Sequence, residues 1–97
     1  MKQVTVVARI HTQAGKEQEM KKVLLSFIAP TRQEAGCISY DLHTNAEEPA
    51  TFLFLENWAS KAALEAHLQS PHMVKGFAEI TKLSAGAPEI KLWEQIA

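Results

Sequence analysis

The chain has 97 residues, a formal net charge of −1, 46% hydrophobic and 22% charged residues, and a single cysteine. This length makes one domain, residues 1–97, which buries only about 60–70% of its unfolded surface. The near-neutral balance without a Lys/Arg block argues against nucleic acid or a membrane surface as partner, and lone Cys37 excludes an internal disulfide and fits a reducing, cytoplasmic compartment.

The opening segment, "MKQVTVVARIHT", is apolar but short and lacks the small-residue cleavage site of a signal peptide. No apolar run reaches the ~18 residues that would suggest a membrane span. Gln3 to His11 alternates Val4, Val6, Ala8 and Ile10 against Thr5, Val7, Arg9 and His11, which predicts a strand. "TQAG" is a turn. A helix is expected from Lys16, with Met20, Val23, Leu24 and Phe27 spaced i, i+3, i+4, i+7 along one buried stripe. Pro30 lacks a backbone donor and should kink the helix or open a second piece, "PTRQEA". Gly36 suits the position just past a helix end.

A second strand, Cys37 to Thr44, sets Ile38, Tyr40 and Leu42 against Cys37, Ser39, Asp41 and His43, and "NAEEPA" is a hairpin turn. The third strand, "TFLFLENW", is apolar on both faces, as expected of a sheet covered twice. Ser60 can cap the next helix, where Leu64, His67 and Leu68 share a face. Ser70 and Pro71 then supply an N-cap and a first-turn proline for a further helix with the stripe Met73, Phe77 and Ile80. After "SAGAP", Glu89 to Ile96 is the last strand. The order β-α-β-β-α-β predicts a ferredoxin-like α+β fold, a four-stranded antiparallel sheet with its helices on one face. A second copy is the simplest cover for the other face, so a homodimer is expected.

The candidate chemistry lies in "ALEAHLQSPHM". His67 on the inward face is either a hydrogen-bonded core residue or a general base, since neutral imidazole takes a proton near cellular pH. His72, at the second position of the restarted helix, is either an exposed first-turn residue or a second acid/base kept neutral by the helix dipole. A metal site is not expected. An i, i+5 pair across a proline is not the geometry of one helical face, and no Cys or carboxylate completes a recognisable spacing with His11 or His43. Glu56 must pair or change its pKa on an aromatic face, with Arg9, Arg32 or a histidine as partner. The Tyr40 hydroxyl could orient a substrate oxygen, and Trp58 is a packing anchor or a pocket wall. Asn57 points the other way and could cap the strand-to-helix turn. Cys37 reads as a small buried residue without an activating neighbour.

Three motifs in order, E-x-G-C-x-x-Y at Glu34 to Tyr40, E-x-W at Glu56 to Trp58 and H-x-x-x-P-H at His67 to His72, resemble the antibiotic biosynthesis monooxygenase family. The resemblance extends over essentially the whole chain and implies a dimeric α+β barrel. It also implies small-molecule chemistry in a pocket between sheet and helices, often oxygenation without metal or flavin. "LEAHLQSPHM" resembles the quinol-monooxygenase branch most, and the same spacing is similar to a branch that isomerises a phosphorylated autoinducer. The haem-degrading branch uses an Asn on strand one and a helical His. Here strand one has no Asn and the helical position is Phe77, which argues against haem. The resulting expectation is a monooxygenase of small quinol or polyphenol-type substrates, with dioxygen as co-substrate and no cofactor. His67 and His72 would be catalytic, with Tyr40, Glu56, Asn57, Trp58 and Phe77 around the substrate. An isomerase or tautomerase using the same histidines, and a non-catalytic ligand-binding dimer, stay open beside it.

Overall fold

Eight elements follow one another in a computed structural model that describes residues 2–97. They are β1 (Val4–His11), α1 (Glu17–Leu25), α2 (Ile28–Arg32), β2 (Cys37–Thr44), β3 (Thr51–Trp58), α3 (Lys61–Leu68), α4 (Pro71–Leu83) and β4 (Glu89–Trp93). Met1, where the expected 1–97 domain begins, lies outside the described residues. The strands form one antiparallel sheet in the order β2-β3-β1-β4. That is the ferredoxin-like α+β arrangement the alternation of elements predicts.

Period-two alternation puts Val6, Ala8 and Ile10 of β1 and Phe52 and Phe54 of β3 on one face, and all five are buried. Against them pack Met20, Leu24 and Phe27 from the predicted stripe and Ile80 and Leu83 from α4. Burying each large apolar side chain contributes ~1.5–3 kcal/mol, so this seam is the main source of stability. The helix α4 closes on Phe27 because Gly76 has no side chain; a Cβ there would fall on the Phe27 ring.

Three local expectations need correction. The helix breaks at Ser26–Phe27, ahead of Pro30, and α2 ends at Arg32 rather than running through "PTRQEA". Pro30 is tolerated as the third residue of α2 because first-turn N–H groups have no intrahelical partner. In β2 the pairing with β3 skips Ile38: Cys37 faces Trp58 and Ser39 faces Asn57. This bulge pushes Ile38 out to 55% exposure and returns Cys37 to the core side with Tyr40, against the simple alternation. The last strand stops at Trp93, because Trp93 pairs with Thr5 and β1 offers only Val4 beyond it. Leu68 lines the same crevice as Leu64 and His67, as expected, but stands at its open edge. One further residue, about 100° around the helix, leaves it 48% exposed.

The helices leave β4 uncovered. Ile90 pairs with Ala8 and Leu92 with Val6, so both face the core side, yet they are 46% and 50% exposed. The gap between them and α4 is the mouth of a crevice. The opposite sheet face carries Val7, Leu53, Leu55 and Trp93, of which Leu55 is 38% and Trp93 56% exposed. No helix among the described residues is long and apolar enough to cross a membrane.

Candidate active site

Two backbone devices bring the site together. Gly36, between α2 and β2, has a φ of 83°, a left-handed conformation that glycine adopts freely. Its carbonyl accepts from the Ala59 N–H at 2.8 Å, and a Cβ on it would stand 2.5 Å from the Ala63 Cβ. The turn therefore lies directly on α3. The second device is the helix restart. Ser60 caps α3 by accepting from the Ala63 N–H at 3.1 Å, and Ser70 Oγ donates to the His67 carbonyl at 2.7 Å. Pro71 then opens α4, with His72 as its second residue.

These devices place Glu34 against both histidines. His67 Nδ1 is 2.8 Å and His72 Nε2 3.1 Å from the same oxygen, Glu34 Oε2. His72 Nε2 is also 3.0 Å from the hydroxyl of Thr31, which is fully buried in α2. A carboxylate accepts only, so it holds the His67 proton on Nδ1 and leaves Nε2 with its lone pair free. The imidazole is 1% exposed, tilted against the Trp58 ring at 4.6 Å and met edge-on by Tyr40 at 5.5 Å. Burial lowers the His67 pKa below the usual histidine value, and Glu34 opposes that shift without cancelling it. The ring is therefore a neutral base near pH 7.

Glu56, from β3, accepts from the Trp58 indole N–H at 2.9 Å, rather than pairing with Arg9, Arg32 or a histidine. Arg32 instead reaches Asp41 at 2.9 Å and the Tyr40 carbonyl at 3.1 Å. Burial raises the Glu56 carboxyl to about 7, because an anion there would lose its water. Burial also pushes the Tyr40 phenol well up, so it stays a hydroxyl, and raises the Cys37 thiol.

Between the sheet and α3–α4 lies a crevice with about 560 Å³ of empty space, part of it open to solvent. Tyr40, Phe54, Glu56, His67, Phe77 and Leu92 are among its lining residues, and among the described residues no Lys or Arg lines it. Of the residues expected around a substrate, Tyr40, Glu56 and Phe77 thus share one cavity with His67. Trp58 does not line it; fully buried, it stands behind His67 as a backing plate. Asn57 faces the other side of the sheet, bonded to Thr5 at 2.6 Å and Ser39 at 2.9 Å, and the cap of α3 is Ser60. Neither His72 nor Glu34 lines the cavity; His72 is linked to it through Glu34, whose carboxylate holds the cavity-lining His67.

Glu34 is the residue that sequence reasoning missed. It opens the E-x-G-C-x-x-Y motif, but nothing local ties it to an imidazole 33 positions away. It also supplies the carboxylate that the spacing of histidines lacked: the ligand atoms of Glu34, His67 and His72 lie within 4.8 Å of one another.

The sequence profile of the family described as antibiotic biosynthesis monooxygenase, ABM, matches residues 3–79. The chain belongs to the ABM family. The ABM match takes in all three motifs together with Glu34, Tyr40, Glu56, His67, His72 and Phe77. Among relatives, an uncharacterized protein of Synechocystis (sll1783) is 34% identical over 91 residues, covering 94% of this chain and 62% of that protein. The chain therefore spans less than two thirds of that relative's length. The Escherichia coli K12 protein named "Probable quinol monooxygenase YgiN" is 37% identical over 90 residues, covering 81% of this chain and 85% of that one. The crystal structure of PA3566 from Pseudomonas aeruginosa superposes with a TM-score of 0.93 at 29% identity, covering 100% of this chain and 97% of that one.

Proposed function

We propose that this chain is a cofactor-independent monooxygenase that oxidises a small quinol or polyphenol-type aromatic compound with dioxygen. One observation carries the reading: a buried, neutral imidazole, His67, lines an apolar crevice with its Nδ1 held by a carboxylate 2.8 Å away. Nε2 is then the base. Taking a proton from a quinol hydroxyl leaves an electron-rich anion that can pass an electron to dioxygen. One oxygen atom enters the ring, the other leaves as water, and the quinol supplies all the electrons. The protein is asked for a base and a water-poor site and for no redox group of its own. The Tyr40 hydroxyl and the Glu56 carboxyl are the other polar tips in the cavity, and they orient the substrate oxygens. The name of the Escherichia coli relative points to the same substrate class.

A second reading, proton-transfer isomerisation of a carbonyl compound, is favoured by Glu56. A carboxyl raised to about 7 beside a neutral imidazole offers a donor and an acceptor in one cavity. A cavity wall without Lys or Arg disfavours a phosphorylated substrate. An oxygen electrode separates the two. Oxygen uptake should keep step with quinol loss, whereas conversion at the same rate with dioxygen excluded would transfer the assignment to the isomerase.

The proposal includes a homodimer built on the open sheet face, where Leu55 and Trp93 are half-exposed. An isologous partner would cover both copies of that patch at once. Sedimentation equilibrium at micromolar concentration should return twice the chain mass; a single-chain mass would remove the dimer from the proposal.

A further inference from the structure

Two ring nitrogens on separate helices, His67 Nδ1 on α3 and His72 Nε2 on α4, aim at one oxygen of Glu34, at 2.8 and 3.1 Å. Four-coordinate Zn²⁺ holds imidazole nitrogen at ~2.0–2.1 Å and carboxylate oxygen at ~2.0–2.2 Å, which puts neighbouring ligands ~3.3 Å apart. The two contacts to Glu34 fall within about half an ångström of that span, and all three ligand atoms lie within 4.8 Å of one another, so the two ring nitrogens close by at most ~1.5 Å when an ion enters. The histidines sit on packed helices, while Glu34 stands in the turn after α2 and keeps 18% exposure, so it is the group free to draw back and admit an ion. Thr31 Oγ1, 3.0 Å from His72 Nε2, is placed to hold a water in the fourth position. Two imidazoles and one carboxylate suit borderline cations such as Zn²⁺, Co²⁺, Ni²⁺ or Cu²⁺, and not Mg²⁺ or Ca²⁺, which take oxygen shells.

We propose that Glu34, His67 and His72 form a capture site for a borderline divalent cation, and that filling it switches off the base at His67. A neutral imidazole coordinated through Nδ1 must carry its proton on Nε2. Both histidines stay neutral and exchange tautomers, so no proton is lost. His67 Nε2 becomes a donor without a lone pair, and the proton-accepting atom disappears from the cavity. The capture stands on the geometry alone; the switch rests on His67 being the base proposed above.

The test uses the intact protein after treatment with a chelator. Titration with Co²⁺ should show one ion per chain with the visible bands of a tetrahedral site. Zn²⁺ should displace it and raise the thermal unfolding midpoint, since it binds the folded state. In the unmodified protein, Zn²⁺ should shift the imidazole nitrogen resonances of His67 and His72 and leave those of His11 and His43, on the other sheet face, in place. His72→Ala and Glu34→Gln should each weaken uptake by more than the ~10–100-fold that loss of an outer-shell partner costs. No uptake from excess Co²⁺, or uptake that moves the His11 and His43 resonances instead, overturns the proposal. Uptake is read without substrate, so its failure leaves the quinol assignment standing, and a failed quinol assay leaves the capture site standing.

Discussion

Replacing His67 by alanine should lower the turnover of an accepted quinol by ~10²–10⁴-fold, the range lost when a positioned base is removed. The ring fills space between Trp58 and Tyr40, so His67→Gln is the companion variant: its amide fills much of the same volume and can bond Glu34 but takes no proton. Both variants should lose activity while circular dichroism and oligomeric mass stay those of the parent. The pH profile of kcat/KM gives a second check. The base works when neutral, so the rate rises with pH through the His67 ionisation. Burial lowers that pKa, which puts the rising limb below the ordinary histidine value of ~6.5. Glu56 is protonated below about 7, so if its carboxyl donates to a substrate oxygen the rate should fall above that pH, giving a bell. Full activity in both His67 variants would make the imidazole a packing residue.

Glu34→Gln should be the next most damaging change, although Glu34 touches no substrate. An amide can present its NH₂ to Nδ1 instead of accepting from it, which flips the imidazole and removes the lone pair from Nε2. In a serine-protease triad the corresponding exchange costs ~10⁴-fold, an upper bound here. A merely structural role would leave the pH profile where it is. A positioning role moves it in a defined direction. Glu34 raises the His67 pKa against burial, so removing its charge should carry the rising limb to still lower pH, with kcat falling more than KM changes. An unchanged limb together with unchanged kcat would separate Glu34 from the chemistry.

The fold was legible because each element advertises its own period. Cys37–Thr44 alternates and Thr51–Trp58 is a short apolar run set off by the polar turn before it and Ser60 after it, so both bounds can be read directly, and Met20, Leu24 and Phe27 fall where a helical stripe puts them. The errors lie where a neighbour decides. Nothing in β2 alone reveals that its pairing with β3 skips Ile38, and nothing in β4 reveals that β1 runs out at Val4. The site divides in the same way. Periodicity points His67 inward, and alternation places Tyr40 and Glu56 on one face. The Glu34–His67 bond joins residues 33 positions apart on different elements, so no window of sequence contains it. For Trp58, alternation gives the face of the sheet and not the depth at which the side chain stops, so of its two readings the structure shows the packing anchor and not the pocket wall.

The close approach of Gly36 to Ala63 makes the reactivity of this site depend on atoms that are not there. Glu34 lies two residues before Gly36, and His67 lies one helical turn after Ala63 on the same face of α3. The gap between the two small residues therefore sets how near the carboxylate can come to the ring. Neither residue has a functional group, yet a single added methyl on either one acts as a spacer between base and carboxylate. Positions 36 and 63 share one volume, and any redesign of this pocket inherits a size limit at two places that a list of reactive side chains would omit.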